Sequence, residues 1–162
     1  MPVGFMNPDV IANGSALIVP EATLYDFGVV SSRMHMAWMR YTCGRMKSDY
    51  QYSSQIVYNN YPWPQAPSAR QRESVEAAAR AVLDAREEFP SATLADLYDP
   101  LTMPPILVKA HSELDRAVDL CYRPQRFDND RQRVEYLFAL YEKLTAPLAF
   151  PTKKARRKAH SR

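Results

Sequence analysis

Between Arg33 and Ser48 four cations, Arg33, Arg40, Arg45 and Lys47, follow one another with no acidic residue among them. Trp38, Tyr41, Tyr50, Tyr52, Tyr58 and Tyr61 lie between or just beyond them. Guanidinium and ammonium groups neutralise phosphates, and tyrosine hydroxyls donate to phosphate oxygens, so this mixture suits a surface that meets nucleic acid. A helix with a cationic solvated side, followed by a tyrosine-rich strand, accounts for the same letters. Other chemistry finds little support. Glycine occurs only at positions 4, 14, 28 and 44, so no glycine-rich loop is available to cradle phosphates or wrap a cofactor. The histidines, His35, His111 and His160, form no nucleophilic set with serine, cysteine or aspartate. His111 and Asp115 share a helical face with Glu113 close by, but a metal site needs three or four converging ligands, and a solvated polar helix face is the favoured reading. The expectation is a chain without catalytic residues, metal or cofactor of its own.

Bulk properties narrow the class. The 162 residues are 46% apolar and 24% charged, an ordinary globular balance with room for one domain or for a domain and an appendage. The net charge of +3 is unevenly spread: residues 153–162 carry six basic side chains and no acid, and the body that precedes them has a net charge of −3. A uniformly basic nucleic-acid module is thereby excluded, and any DNA contact must be a local face, with or without the tail. Cys43 and Cys121 lie far apart in helix-like contexts and read as reduced buried thiols rather than a disulfide or metal pair. No run approaches the ~18 apolar residues of a membrane span, and Met1-Pro2-Val3-Gly4-Phe5 has no signal-peptide pattern, so a cytoplasmic location is expected. Asn59-Asn60-Tyr61-Pro62 has the letters of the Asn-Pro-Pro-Tyr motif of amino-methylating DNA enzymes in scrambled order, without the adjacent prolines that aim the backbone at the target amine. It reads as a linker.

The positioning elements divide near that linker. Val3–Met6 and Ala16–Val19 read as short strands separated by turn chemistry at Asn7-Pro8-Asp9 and Asn13-Gly14-Ser15. Thr23 with Asp26 opens a long helix carrying Leu24, Phe27, Met34, Trp38 and Tyr41 at helical spacing, which Gly44 is placed to end. Residues 45–58 read as irregular or partly extended. The prolines at 62, 64 and 67 interrupt helix. Beyond them Ser68 with Gln71 opens a helix with Val75, Ala79, Val82 and Leu83 inward, and Thr93 with Asp96 starts a short turn. Pro104-Pro105 begins a helix with Leu107, Ala110, Leu114, Ala117, Val118 and Cys121 on one side. Asp130 is the expected cap of a last helix that buries Val134, Leu137, Phe138, Tyr141 and Leu144. The expected fold is therefore α+β and predominantly α: short strands and a long helix in the front third, a three- to four-helix bundle over 65–150, and a disordered basic tail over 151–162.

Leu24 to Arg40 (LYDFGVVSSRMHMAWMR), Cys43-Gly44-Arg45, Tyr52-Ser53 and Tyr58 to Pro64 (YNNYPWP) together resemble the C-terminal part of MmeI-like DNA methyltransferases. The resemblance continues through Leu94 to Pro104 (LADLYDPLTMP) and His111 to Asp119 (HSELDRAVD). It implies that residues 1–64 are the second half of a target recognition domain and 65–150 the helical domain that follows it. It also implies a longer parent enzyme in which a separate catalytic domain uses S-adenosylmethionine to methylate adenine at N6, this chain being a fragment without that domain. In such enzymes side chains just after the Cys-Gly-Arg motif face base edges, which places Lys47, Asp49 and Gln51 in that role, with Ser15 as a further base-reading position. Lysine suits guanine O6 and N7 and aspartate suits cytosine N4. In an extended segment the two would project to one side, and a silent surface salt bridge between them is the competing account. Arg33, Arg40 and Arg45 are assigned to phosphates, although at least one could anchor the helix to its own domain. The implied partners are double-stranded DNA and the catalytic domain, with no membrane. The rival reading is a helical structural domain that packs on the parent enzyme and does not bind DNA alone.

Overall fold

The computed structural model describes residues 3–7, 9–14, 16–47 and 49–146, so the basic tail lies outside the described residues. Three helix starts follow from local chemistry. Thr23 and Asp26, Ser68 and Gln71, and Thr93 and Asp96 each form a reciprocal capping box, opening α1 (Leu24–Ser31), α3 (Ala69–Glu87) and α4 (Leu94–Leu97). Pro105 occupies the first turn of α5 (Pro105–Tyr122), where its missing N–H costs nothing. The last helix, α6 (Asp130–Thr145), is capped by Asn129, whose Oδ1 accepts from the Gln132 N–H at 3.0 Å. Asp130, expected as the cap, is the first residue inside the helix, and its carboxylate is used elsewhere.

The long front helix is two helices. Ser32 leaves helical geometry (φ −76°, ψ 160°), donates its hydroxyl to the Val29 carbonyl at 2.7 Å and accepts from the His35 N–H at 3.4 Å. One serine thereby closes α1 and caps α2 (Arg33–Thr42). The Asp115 carboxylate of α5 also accepts the Arg33 backbone N–H at 2.6 Å, satisfying a second donor at that helix start. α2 stops at Thr42 with Cys43 extended, and Gly44, which does not take positive φ, begins a strand instead of closing the helix.

The expected strands at Val3–Met6 and Ala16–Val19 are not strands: extended backbone needs a ladder partner, and none pairs with them among the described residues. The sheet lies in the stretch read as irregular. β1 (Gly44–Met46) and β2 (Asp49–Gln51) form an antiparallel hairpin with Gly44 opposite Gln51, Arg45 opposite Tyr50 and Met46 opposite Asp49. A π-helical turn, Ser54–Tyr58, follows and is held by a 3.0 Å bond from the Trp38 indole N–H to the Val57 carbonyl.

A shared core joins the two halves of the chain. α3 packs on α5 and on α1, and α2 packs on α6. Val29, Met34, Trp38, Val57 and Tyr61 from the front belong to the same apolar cluster as Val75, Val82, Leu107, Leu114, Val118 and Leu137. The helices approach closely at Gly28, where an added Cβ would lie 2.7 Å from Val75 Cγ1 and 3.2 Å from Leu114 Cδ1. In α6, Val134 and Leu137 are buried, whereas Phe138 and Leu144 are exposed, Phe138 lying along the rim against Trp38 with ring centroids 5.1 Å apart. The linker is packed too: Tyr61 and Pro62 are buried, and the Tyr122 hydroxyl lies 2.6 Å from that of Tyr61 and 3.1 Å from the Pro62 carbonyl.

Candidate nucleic-acid interface

The hairpin is the most exposed ordered element: every described residue from Gly44 to Gln51 is solvent-facing. Its register puts Met46, Asp49 and Gln51 on one face and Arg45 with Tyr50 on the other. Arg45 is fixed by its cross-strand neighbour, with its guanidinium 4.6 Å from the Tyr50 ring centroid and Nη2 donating to the Tyr50 hydroxyl at 3.1 Å. Lys47 starts the two-residue connection in left-handed backbone, φ 56°, a conformation ordinarily left to glycine or asparagine. The expected alignment of Lys47 and Asp49 on one strand face therefore fails, because Lys47 sits on the turn. Asp49 and Gln51 share a face instead, about 7 Å apart along the strand. No ion pair joins Lys47 to Asp49 among the described residues. Ser15 lies outside the described residues.

Arg33 and Arg40 stand two helical turns apart on α2 and converge on Asp130. Arg33 Nε meets Oδ1 at 2.6 Å and Arg40 Nη1 meets Oδ2 at 3.0 Å, with Arg133 Nη1 3.4 Å from Oδ1. Each of these two arginines is half-exposed and keeps N–H groups free of Asp130, but much of its charge is already answered. Behind them Arg133 makes a two-pronged pair with Asp119, at 3.0 and 2.6 Å, in a buried setting. Sequence reasoning assigned Asp130 only to capping. The signal was the doublet Asn129-Asp130, two capping residues for one cap, which leaves a carboxylate for other work.

The aromatic part of the sequence signal is divided. Trp38 and Tyr61 are core residues and Tyr52 is half-buried, so among these rings only Tyr41 and Tyr50 are exposed. Tyr52, which directly follows β2, points its hydroxyl inward to His35 Nε2 at 2.9 Å. His35 is fully buried on α2, edge-on to Tyr61 at 4.6 Å, and burial lowers its pKa to about 4, so the ring is neutral. Its Nδ1 has no hydrogen-bond partner among the described residues.

Of the polar set His111, Glu113 and Asp115, Glu113 is exposed as a solvated face requires, whereas His111 and Asp115 are half-buried. The Tyr98 hydroxyl receives Arg86 Nε at 2.9 Å and Nη2 as well, and stands 2.6 Å from His111 Nε2. Burial, with Arg86 nearby, lowers the His111 pKa to about 4. Burial raises Asp115 from 3.8 to about 6, against the pull of the Arg33 N–H. No group of three or more His, Cys, Asp or Glu able to hold a metal occurs among the described residues. Both cysteines are free thiols, half-buried.

Comparison with known proteins places this arrangement. Residues 1–65 match the family model described as the MmeI target recognition domain, and residues 67–149 match that of the MmeI C-terminal domain. DNA methyltransferase A of Bacillus subtilis (strain 168) is 40% identical over 145 residues, 90% of this chain and 16% of the relative. A solved structure of the Type IIL restriction-modification enzyme MmeI in complex with DNA is 45% identical, with a TM-score of 0.75 over 78% of this chain and 17% of that one. The chain thus spans about a sixth of the length of the relatives it matches. Joined through one core, the hairpin-bearing front and the helical half identify the chain as a member of the MmeI family of DNA methyltransferases, made up of target recognition and C-terminal domain sequence.

Proposed function

We propose that the chain is a sequence-specific DNA recognition module of a bacterial adenine-N6 methyltransferase of restriction–modification type, working in the cytoplasm. Residues 1–64 carry the DNA face and 65–150 form the helical body. Methyl transfer, with S-adenosylmethionine as donor, belongs to a catalytic domain elsewhere in a longer protein, which is the module's second partner beside double-stranded DNA. The observation that carries the reading is the hairpin Gly44–Gln51, which projects Arg45, Lys47, Asp49 and Gln51 to solvent within sequence matching a target recognition domain. Arg45 supplies a phosphate contact. Lys47, Asp49 and Gln51 supply donors and acceptors for base edges, and Ser15 is assigned to the same role. Arg33 and Arg40 are secondary phosphate contacts through the N–H groups that Asp130 leaves free.

The second reading, a structural domain silent toward DNA, draws on that same carboxylate, since Asp130 ties both α2 arginines to α6. Anisotropy titration of a labelled duplex between 50 and 200 mM salt separates the two. Binding through phosphates loses affinity steeply with salt, and Arg45→Ala should lower the slope of log K against log [salt] by about 1, alike for all duplex sequences. An Arg45→Ala protein with unaltered affinity and slope would remove the hairpin from the DNA face.

A further inference from the structure

A two-stranded hairpin is marginal by itself, and this one has no covering layer: its six strand residues are all exposed. Its direction must be set where it joins the body. At that junction Cys43 and Tyr52 pack on the core, and Tyr52 also makes a polar contact there, to His35 Nε2 at 2.9 Å. His35 is an expensive residue for the purpose. It is fully buried, and Nδ1 finds no partner among the described residues, so an apolar side chain would fill the site without that desolvation cost. What the imidazole adds over an apolar residue is a directional bond to the first residue after β2.

We propose that the His35–Tyr52 hydrogen bond is a positioning device that fixes the angle of the hairpin, and through it the base preference of Asp49 and Gln51. The inference rests on the reading of the hairpin as a DNA-contacting element. Leverage makes the bond matter. Asp49 lies three residues out from Tyr52, about 10 Å along an extended chain, so a swing of ~10° at Tyr52 displaces it by roughly 1.7 Å, beyond the ~0.5 Å within which a base-edge contact must be held. His35 is in turn held edge-on by Tyr61, whose hydroxyl meets Tyr122 of α5, so the device is seated on the helical body. Tyr52 and His35 act through the hairpin and touch no DNA themselves.

Tyr52→Phe keeps the ring and removes only the hydroxyl. In the whole 162-residue chain, labelled with 15N, the variant should shift the His35 Nε2 resonance and lower the amide order parameters of residues 44–47 and 49–51 from about 0.85 toward 0.6, leaving those of α3 and α5 unchanged. On a panel of duplexes differing at one base pair, its spread of affinities should narrow while its affinity for random duplex stays the same. Unchanged order parameters in the hairpin would overturn the proposal. So would an undiminished spread with Tyr52→Phe where Asp49→Ala does reduce it. A loosened hairpin in Tyr52→Phe with no sequence effect from Asp49→Ala would leave the mechanical part standing and sink the base-reading assignment. His35→Phe is the check on folding: it should fold as stably as the parent and reproduce the loosened hairpin, and a rigid hairpin in that variant would count against the device.

Discussion

Lys47 and Asp49 meet DNA, on the proposed reading, from different backbone settings, and that sets what their substitution should do. Lys47 holds a left-handed turn conformation that costs of order 1 kcal/mol or more for a residue with a Cβ, a strain that clusters at functional positions. Asp49 lies in β2 beside Gln51 on one face, and their ~7 Å spacing matches two base-pair steps of ~3.4 Å. Asp49 and Gln51 therefore address separate positions, and Lys47, on the turn and off that strand face, addresses another, so the effects of substituting Lys47 and Asp49 should add. Asp49→Arg exchanges an acceptor suited to cytosine N4 for a donor suited to guanine, so it should invert the preferred strand sense at one G·C pair, with the former site weakened by ~1–3 kcal/mol. Lys47→Gly should relax a different position while relieving the turn. Selection from a duplex library with each variant reads both effects. Coupled shifts at one position from both single substitutions would show instead that Lys47 and Asp49 share a base pair.

At the level of elements, Gly28 shows how little space separates α1 from the pair α3 and α5. A methyl group there would press on Val75 Cγ1, a short branched side chain with nowhere to swing. Gly28→Ala gains up to ~1 kcal/mol of helix propensity but overpacks a dense contact at ~1–3 kcal/mol, so chemical denaturation should find a net loss with an unchanged m-value. A stabilised variant would mean that α1 can lift away from α3. What was legible in the sequence follows from the range of the interactions. Capping boxes at Thr23, Ser68 and Thr93 are read within four residues, and the inward faces of α3 and α5 follow from their period. The break at Ser32 was hidden because apolar spacing runs across it, and one residue of the Ser31-Ser32 pair closes one helix and opens the next with no glycine or proline beside it to mark the place. The hairpin was hidden because the sequence between its strands lacks the Asn-Gly signature and its strands bury nothing. Phe138 has the spacing of a core residue, yet it ends at the rim beside Trp38, where α6 packs on α2. Arg33 and Arg40 were legible as cations. Their partner Asp130 was not, because the two are about a hundred residues apart in the chain and only the packing of α2 on α6 joins them.

Across the whole molecule, acid stability is decided by buried groups that pull in opposite directions. His35 and His111 have pKa values lowered from 6.5 to about 4, so between those limits the unfolded chain binds more protons, and both histidines favour unfolding as pH falls from 6.5 toward 4. Asp115 behaves inversely. Burial lifts its pKa from 3.8 to about 6, so over much of the same window the folded state holds the extra proton and acidification favours folding through this residue. The groups facing it are Asp119, which adds to the rise, and Arg33 and Arg133, which oppose it. At neutral pH the ionised Asp115 therefore strains the fold, and the strain is released on protonation. Asp115→Asn keeps the shape and the acceptor for the Arg33 N–H while removing the charge. It should be more stable than the parent at pH 7, by about 1–3 kcal/mol, and that advantage should vanish as pH is lowered through 6 toward 4. The parent then retains a compensating group that the variant lacks, so denaturant midpoints for Asp115→Asn should fall more steeply with acid. Parallel midpoints for the two proteins between pH 4 and 7 would show that Asp115 is ionised as readily in the fold as in the unfolded chain, and that the α2 helix start tolerates its charge at no cost.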